Sequence, residues 1–345
     1  MIFLSKKAFV IVIFSMLVSA NLSAYERWEC YIVRKMQVSE PAVSIESEVV
    51  IFNDREISSE LVLKNTSSKA VDAEVQIRIT PCGHGVPFTE GLLPVNFSLC
   101  VNGKPHDFLI KYQNEFYTKE KAEQTNCYED SFCVFCVKFQ PDEQKKLNLK
   151  YQNDFIPFIE DYCLFHIFSA EKNKTLTVFQ SDEGFLIENF YESNQPDSEY
   201  IPQKHTVFTD VKRLKGKTDF YYQIDVPEST KVLRCDFDVP QFGIIVNKNP
   251  RGKNYGYVKF NDKNCSVQQL SKSDLFYLSK EQLSFLRNSF YACHGYIFKN
   301  KKFADGFALL FEGQGSSYPF NVDFSESDFS EVEKANLALI KEMEK

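Results

Sequence analysis

The sequence predicts a mainly β amino-terminal domain, built from antiparallel sandwich-like sheets, followed by a small α-helical carboxy-terminal domain. Three observations carry that reading. Apolar residues recur with a period of two between Val43 and Phe260, which is the mark of strands with one buried and one wet face. Near residue 268 the rhythm changes to the i, i+3, i+4 spacing of helices. A short apolar leader, belonging to neither domain, precedes both.

In the leader, Lys6 and Lys7 stand before the apolar run Ala8 to Val18, and the small residues Ser19, Ala20, Ser23 and Ala24 follow. That run is about 11 residues long where a membrane span needs roughly 20. Residues 1–24 therefore read as a secretory signal peptide cleaved after Ala24, with Ala20 as the alternative position. No cysteine stands at the junction to take a lipid anchor. The expected location is the periplasm or the medium, and the chain left after cleavage is not expected to span a membrane.

Composition narrows the partners. The formal charge is -7, and loss of Lys6 and Lys7 with the leader makes the chain more acidic still. Such a surface repels phosphate backbones, so nucleic acid is not an expected partner. With 33 Phe and 17 Tyr among interspersed charges, the chain has the apolar content that disordered chains lack. All ten cysteines lie beyond the leader. An even count in an exported chain predicts some bridges, at most three or four, alongside cysteines that are simply small buried hydrophobes.

The β-rich domain is expected to span residues 25–267. Its clearest strand alternates Ala73, Val75, Ile77 and Ile79 with Asp72, Glu74, Gln76 and Arg78. Val43 to Ile51, Ser59 to Lys64, Leu147 to Tyr151, Thr175 to Phe179, Phe220 to Val226 and Leu233 to Val239 read the same way. Asn53-Asp54, Asn65-Thr66-Ser67-Ser68, Asn102-Gly103 and Pro250-Arg251-Gly252 supply the turns between strands. One helix is expected, over Thr118 to Gln124. The block from Val49 to Val71, with Asn65-Thr66-Ser67 at its centre, also resembles the opening strands of an uncharacterised family of exported bacterial β-sandwich proteins.

Candidate chemistry in this domain is sparse. Cys82-Gly83-His84-Gly85 brings a thiol and an imidazole together in a turn, without a second ligand pair at metal-site spacing. Cys133 and Cys136 form a C-x-x-C, but on a strand their side chains face opposite ways. No nucleophile elbow, phosphate-binding glycine loop or zinc-protease motif is present in the sequence. No catalytic residue, metal or cofactor is therefore assigned.

From residue 268 to 345 the reading is helical. Ser279 and Gln282 have the spacing of a capping box. Leu283, Leu286, Phe290, Cys293 and Ile297 then form a stripe that faces a core, and Arg287, Tyr291 and His294 form a second stripe beside it. Gly295 supplies the left-handed residue that ends the helix. The run Leu286 to Phe298, the opening Leu270-Ser271-Lys272-Ser273-Asp274-Leu275, the aromatic pair Phe303 and Phe307, and the closing Phe329 to Leu337 together resemble the YARHG domain. The resemblance covers roughly residues 268 to 344, and the domain's name-giving arginine is Cys293 in this chain.

The YARHG resemblance implies a small helical module of secreted bacterial proteins, with no established activity. It points to an exported bacterial protein acting as a non-catalytic interaction or envelope-binding factor, whose partner is a cell-envelope glycan or an envelope protein. The alternative is a hydrolase of envelope polymers with its site in the β-rich domain. Arg287, Tyr291 and His294 are the candidate binding residues. Against that stands a structural reading, in which Arg287 and His294 hydrogen-bond to Glu333, Asn336 or loop carbonyls and hold the closing helix in place.

Overall fold

The computed structural model describes residues 30–53, 56–82, 93–112, 131–152, 156–158, 161–179, 186–193, 206–238 and 242–345. The signal peptide expected over residues 1–24, the helix expected over Thr118 to Gln124, and His84 with the Cys82 thiol lie outside the described residues and side chains. The described chain divides into two compact units, one within residues 30–238 and one from 242 to 345.

The first unit is all β among the described residues. Its four-stranded antiparallel sheet runs β1 (Cys30–Val38), β4 (Val71–Cys82), β8 (Ser131–Phe139), β7 (Leu109–Tyr112). An eight-stranded sheet runs β15 (Lys212–Lys215), β16 (Phe220–Val226), β12 (Lys174–Phe179), β2 (Val43–Asn53), β3 (Glu56–Asn65), β9 (Gln144–Gln152), β5 (Val95–Val101), β6 (Lys104–Pro105). A five-stranded sheet runs β10 (Ile156–Phe158), β11 (Asp161–Ile167), β17 (Val232–Asp238), β13 (Leu186–Ser193), β14 (Thr206–Val207).

Hairpin neighbours pair antiparallel, as expected from the sequence, but β12 lies parallel to β2. Parallel pairing needs a long crossover, and most of the unit's chain runs between those two strands. Alternation alone carries no information about such a pairing.

The strand reading holds residue by residue in β4, where Ala73, Val75, Ile77 and Ile79 are all buried. On β8, Cys133 is buried and Cys136 exposed, so the two thiols of the C-x-x-C point to opposite faces. Burial pushes the Cys133 thiol up to about 12, which leaves it un-ionised and inert. The turn after β3 is held by Asn65, whose amide donates to the carbonyls of Lys69 and Gln140 at 2.7 and 2.9 Å and accepts from Ser67.

β2 departs from simple alternation. Its pairing with β3 shifts register between Ile45 and Ser47, and such a bulge moves every later side chain to the other face. Val43 points inward before it; Glu48, Val50 and Phe52 point inward after it. A glutamate thereby enters the core.

The second unit opens with a small antiparallel sheet, β18 (Phe242–Val246), β19 (Gly256–Phe260) and β20 (Lys263–Asn264). Four α-helices follow: α1 (Lys272–Leu275), α2 (Lys280–Cys293), α3 (Lys301–Gly313) and α4 (Glu331–Met343), with a 3-10 turn at Glu326–Asp328 before the last. The helices begin where the hydrophobic rhythm changes. The three strands ahead of them pack with them, because Phe242 lies against both Phe260 and Phe285 of α2. Gln314, at the end of α3, bonds the backbone of Val246 and Ile244 on β18.

Helix α2 starts as its sequence requires. Ser279 Oγ accepts from the Gln282 amide at 3.1 Å and Gln282 Oε1 accepts from the Ser279 amide at 2.8 Å. Leu283, Leu286, Phe290 and Cys293 are fully buried, whereas Ile297 is 46% exposed. The difference arises because the helix has already stopped. Gly295 adopts φ +74, and the amides of Gly295 and Tyr296 close back onto Ala292 and Tyr291 at 3.0 and 3.1 Å, the pattern of a Schellman ending.

A side chain at Gly295 has no room, since a Cβ there would lie 2.1 Å from the Pro319 carbonyl oxygen. Gly295→Ala is expected to cost about 2–4 kcal/mol, combining left-handed strain with displacement of backbone. Hydrogen exchange at the end of α2 and in the segment containing Asn321 checks this; unchanged protection there would contradict it.

Candidate functional site

Two clusters of polar side chains stand out among the described residues, one in each unit. In the β unit, Glu48 is 1% exposed and His166 5% exposed. All four acceptor positions of the Glu48 carboxylate are filled. Oε1 accepts from Ser59 Oγ at 3.1 Å and faces His166 Nε2 at 2.7 Å, while Oε2 accepts from the amides of Ser169 and Ala170 at 2.6 and 2.9 Å. Ser169 Oγ in turn accepts from the Met36 amide on β1 at 2.9 Å.

Burial drives the Glu48 carboxyl up, but the charge and hydrogen bond of His166 and the two amides outweigh it and hold it below the ordinary range. The adjoining cavity, edged by Met36, Leu149 and Tyr151, measures about 10 Å³. That is room for one water at most, so among the described residues the cluster ties three sheets together around a space too small for a substrate.

The second cluster includes the predicted residues. His294 caps α2 and is 2% exposed, its Nε2 3.2 Å from Glu333 Oε2. Glu333 also accepts from Ser266 Oγ at 2.7 Å and, as the N3 residue of α4, from the Ser330 amide at 2.9 Å. Burial raises the Glu333 carboxyl, but the bonds from His294, Ser266 and Ser330 bring it below its ordinary value. One turn on, buried Asn336 accepts from the Leu270 amide at 2.7 Å and donates to the carbonyls of Cys265 and Gln268. His294 is thus part of the lock between α2 and α4.

Arg287 and Tyr291 face outward from the same helix. Arg287 forms an ion pair with Glu344 and donates to Ser284 Oγ at 3.1 Å. The Tyr291 hydroxyl donates to Glu326 Oε1 at 2.8 Å. Burial and that bond push the Tyr291 phenol up to about 12, so it is a neutral donor at physiological pH.

Both residues line an open groove of about 490 Å³, together with Tyr296, Phe324, Glu326 and Lys341. Its aromatic wall is tightly built: Tyr291, Tyr296 and Phe324 lie 5.3 to 5.8 Å apart, ring centre to ring centre. Phe329 backs them and also meets the His294 ring at 4.9 Å.

Residues 260–345 match the YARHG domain. The groove therefore lies wholly on the YARHG domain, and the glutamate and asparagine of its closing helix are the residues that lock it together. No curated protein matches the chain. Among solved structures, a candidate nutrient-binding protein from Legionella pneumophila shares 14% identity at a TM-score of 0.41, over 92% of this chain and 99% of that one. An M1 zinc metallopeptidase from Deinococcus radiodurans shares 6% identity at a TM-score of 0.24, over 64% of this chain and 48% of that one. At these scores neither likeness transfers a fold or a function.

Sequence reasoning brings Arg287 and Tyr291 to the groove and misses Tyr296, Phe324, Glu326 and Lys341. The last three come from the loop and helix that close the domain, far from α2 in sequence, and only the fold joins them. Glu48 was legible in principle as an acid among inward valines and phenylalanines, but the bulge that turns it inward was not. Among the described residues, no group of three His, Cys, Asp or Glu is placed to hold a metal, and no helix is long and apolar enough to cross a membrane.

Proposed function

We propose that this chain is an exported, non-catalytic protein that binds a glycan of the cell envelope through the groove of its YARHG domain. The observation that carries the reading is the wall of Tyr291, Tyr296 and Phe324 set beside Arg287, Lys341 and Glu326. Aromatic faces take the apolar C–H face of a sugar ring, while charged and amide groups at the rim serve its hydroxyls and carboxylates. Arg287 and Tyr291 act as contact residues in this reading, and His294 positions α2 through Glu333. The leader read from residues 1–24 supplies the route out of the cytoplasm.

The test is sedimentation of the full mature chain with purified peptidoglycan sacculi. Tyr296→Ala removes one ring of the wall, and its binding constant is expected to fall roughly tenfold, the equivalent of about 1.4 kcal/mol. Unchanged thermal stability would place that loss in the groove. Equal binding by Tyr296→Ala, Lys341→Ala and the unaltered chain would overturn the proposal. Release of soluble fragments from the sacculi would favour an envelope hydrolase instead.

A further inference from the structure

We infer that Cys30 and Cys82 form a disulfide that pins the first strand of the four-stranded sheet. The antiparallel register of β1 and β4 sets Cys30 directly opposite Cys82, continuing the pairs Tyr31 with Pro81, Ile32 with Thr80 and Val33 with Ile79. Residues directly opposite in such a ladder have Cα atoms about 4.5 or 5.5 Å apart. A disulfide spans Cα separations of roughly 4.4–6.8 Å, so the backbone need not move.

Among the described residues, the register gives no other cysteine in the sheets such a partner. Cys133 stands opposite Ile77 and Ile110, Cys136 opposite Glu74, Cys235 opposite Leu164, Cys163 opposite Asp236 and Ile156, and Cys100 opposite Asn148 and Pro105. Among the other described side chains, Cys100, Cys133, Cys136, Cys265 and Cys293 are free thiols.

β1 gains most from a bridge. Among the described strands it has one sheet neighbour, β4, and it begins shortly after the expected cleavage point, where strands fray unless they are tied down. The two thiols lose two protons and two electrons as the Sγ–Sγ bond forms. A protein disulfide of the exporting compartment accepts both electrons by thiol–disulfide exchange and becomes a dithiol. The inference rests on export and is independent of the groove.

Peptide mapping of the full exported chain tests it. The chain is denatured and alkylated without reductant, then digested. A linked, unalkylated peptide pair carrying Cys30 and Cys82, separable by reductant, is expected, with Cys133, Cys265 and Cys293 alkylated. Alkylation of Cys30 and Cys82 before reduction, or a link from either to another cysteine, would overturn the inference.

Thermal denaturation gives a second readout. Cys30→Ser, Cys82→Ser and the double variant are expected to lose the same roughly 5–15 °C in Tm, and reductant to lower only the unaltered chain. Additive losses from the two single variants would contradict a shared bond.

Discussion

Replacing Glu48 with alanine is expected to lower the stability of the β unit by about 3–5 kcal/mol, the range for removing one partner of a buried ion pair. The expectation rests on what the carboxylate serves. Ser59, His166 and the amides of Ser169 and Ala170 all direct donors at it in a region that water barely reaches. Removing the acceptor leaves those donors buried and unpaired, and each such orphan costs about 1–3 kcal/mol.

Glu48→Gln is expected to recover little. An amide has one acceptor oxygen, and its NH2 would face donors whichever way it turned. Denaturant titration followed by hydrogen exchange in β2, β3 and β11 measures the effect. A loss below about 1 kcal/mol, typical of a surface change, would show that the three sheets do not depend on this carboxylate.

Acid should act on the same point. The Glu48 carboxyl is held below the ordinary value of 4.5. Its contribution is therefore complete above that value and is lost as pH falls through the lower folded-state value. The β unit is expected to lose stability steeply in that acidic window, and Glu48→Gln to flatten the profile there. A variant with the same acid profile as the unaltered chain would refute the linkage.

The second large effect is expected at Glu333. Glu333→Ala should destabilise the YARHG domain by about 3 kcal/mol or more, because one residue fills three roles. It closes the capping box of α4 through the Ser330 amide, anchors Ser266, and pairs with the buried His294 at the end of α2. Hydrogen exchange in α2 and α4 would report the loss. The groove should fail with it, since Tyr291 and Phe324 are held on the elements that this contact joins, and sacculus binding should fall in parallel. Full protection of both helices in the variant would show that Asn336 and the apolar stripe suffice.

The two carboxylates divide what each level of description can reach. In α2, the capping box at Ser279, the buried stripe from Leu283 to Cys293 and the stop at Gly295 are all local, each set by residues within a turn or two of one another. They are legible because helix physics acts at i, i+3 and i+4. The alternation of β4 is legible for the same reason, at a spacing of two.

Glu333 and Asn336 are visible in the sequence as features of a closing helix, yet nothing local says that they reach Ser266, Cys265 and Leu270. The parallel pairing of β12 with β2, the inward turn of Glu48 after a bulge, and the meeting of Tyr296, Phe324 and Lys341 in one groove belong to the same class. By itself the sequence determined the β-then-α order and, for α2, the capped start at Ser279, the buried stripe and the stop at Gly295. Tertiary structure alone decided which buried acids are satisfied and which exposed rings share a surface. Those outcomes depend on contacts between residues far apart in sequence, from 28 positions between Tyr296 and Phe324 to 122 between Glu48 and Ala170, where no periodicity survives.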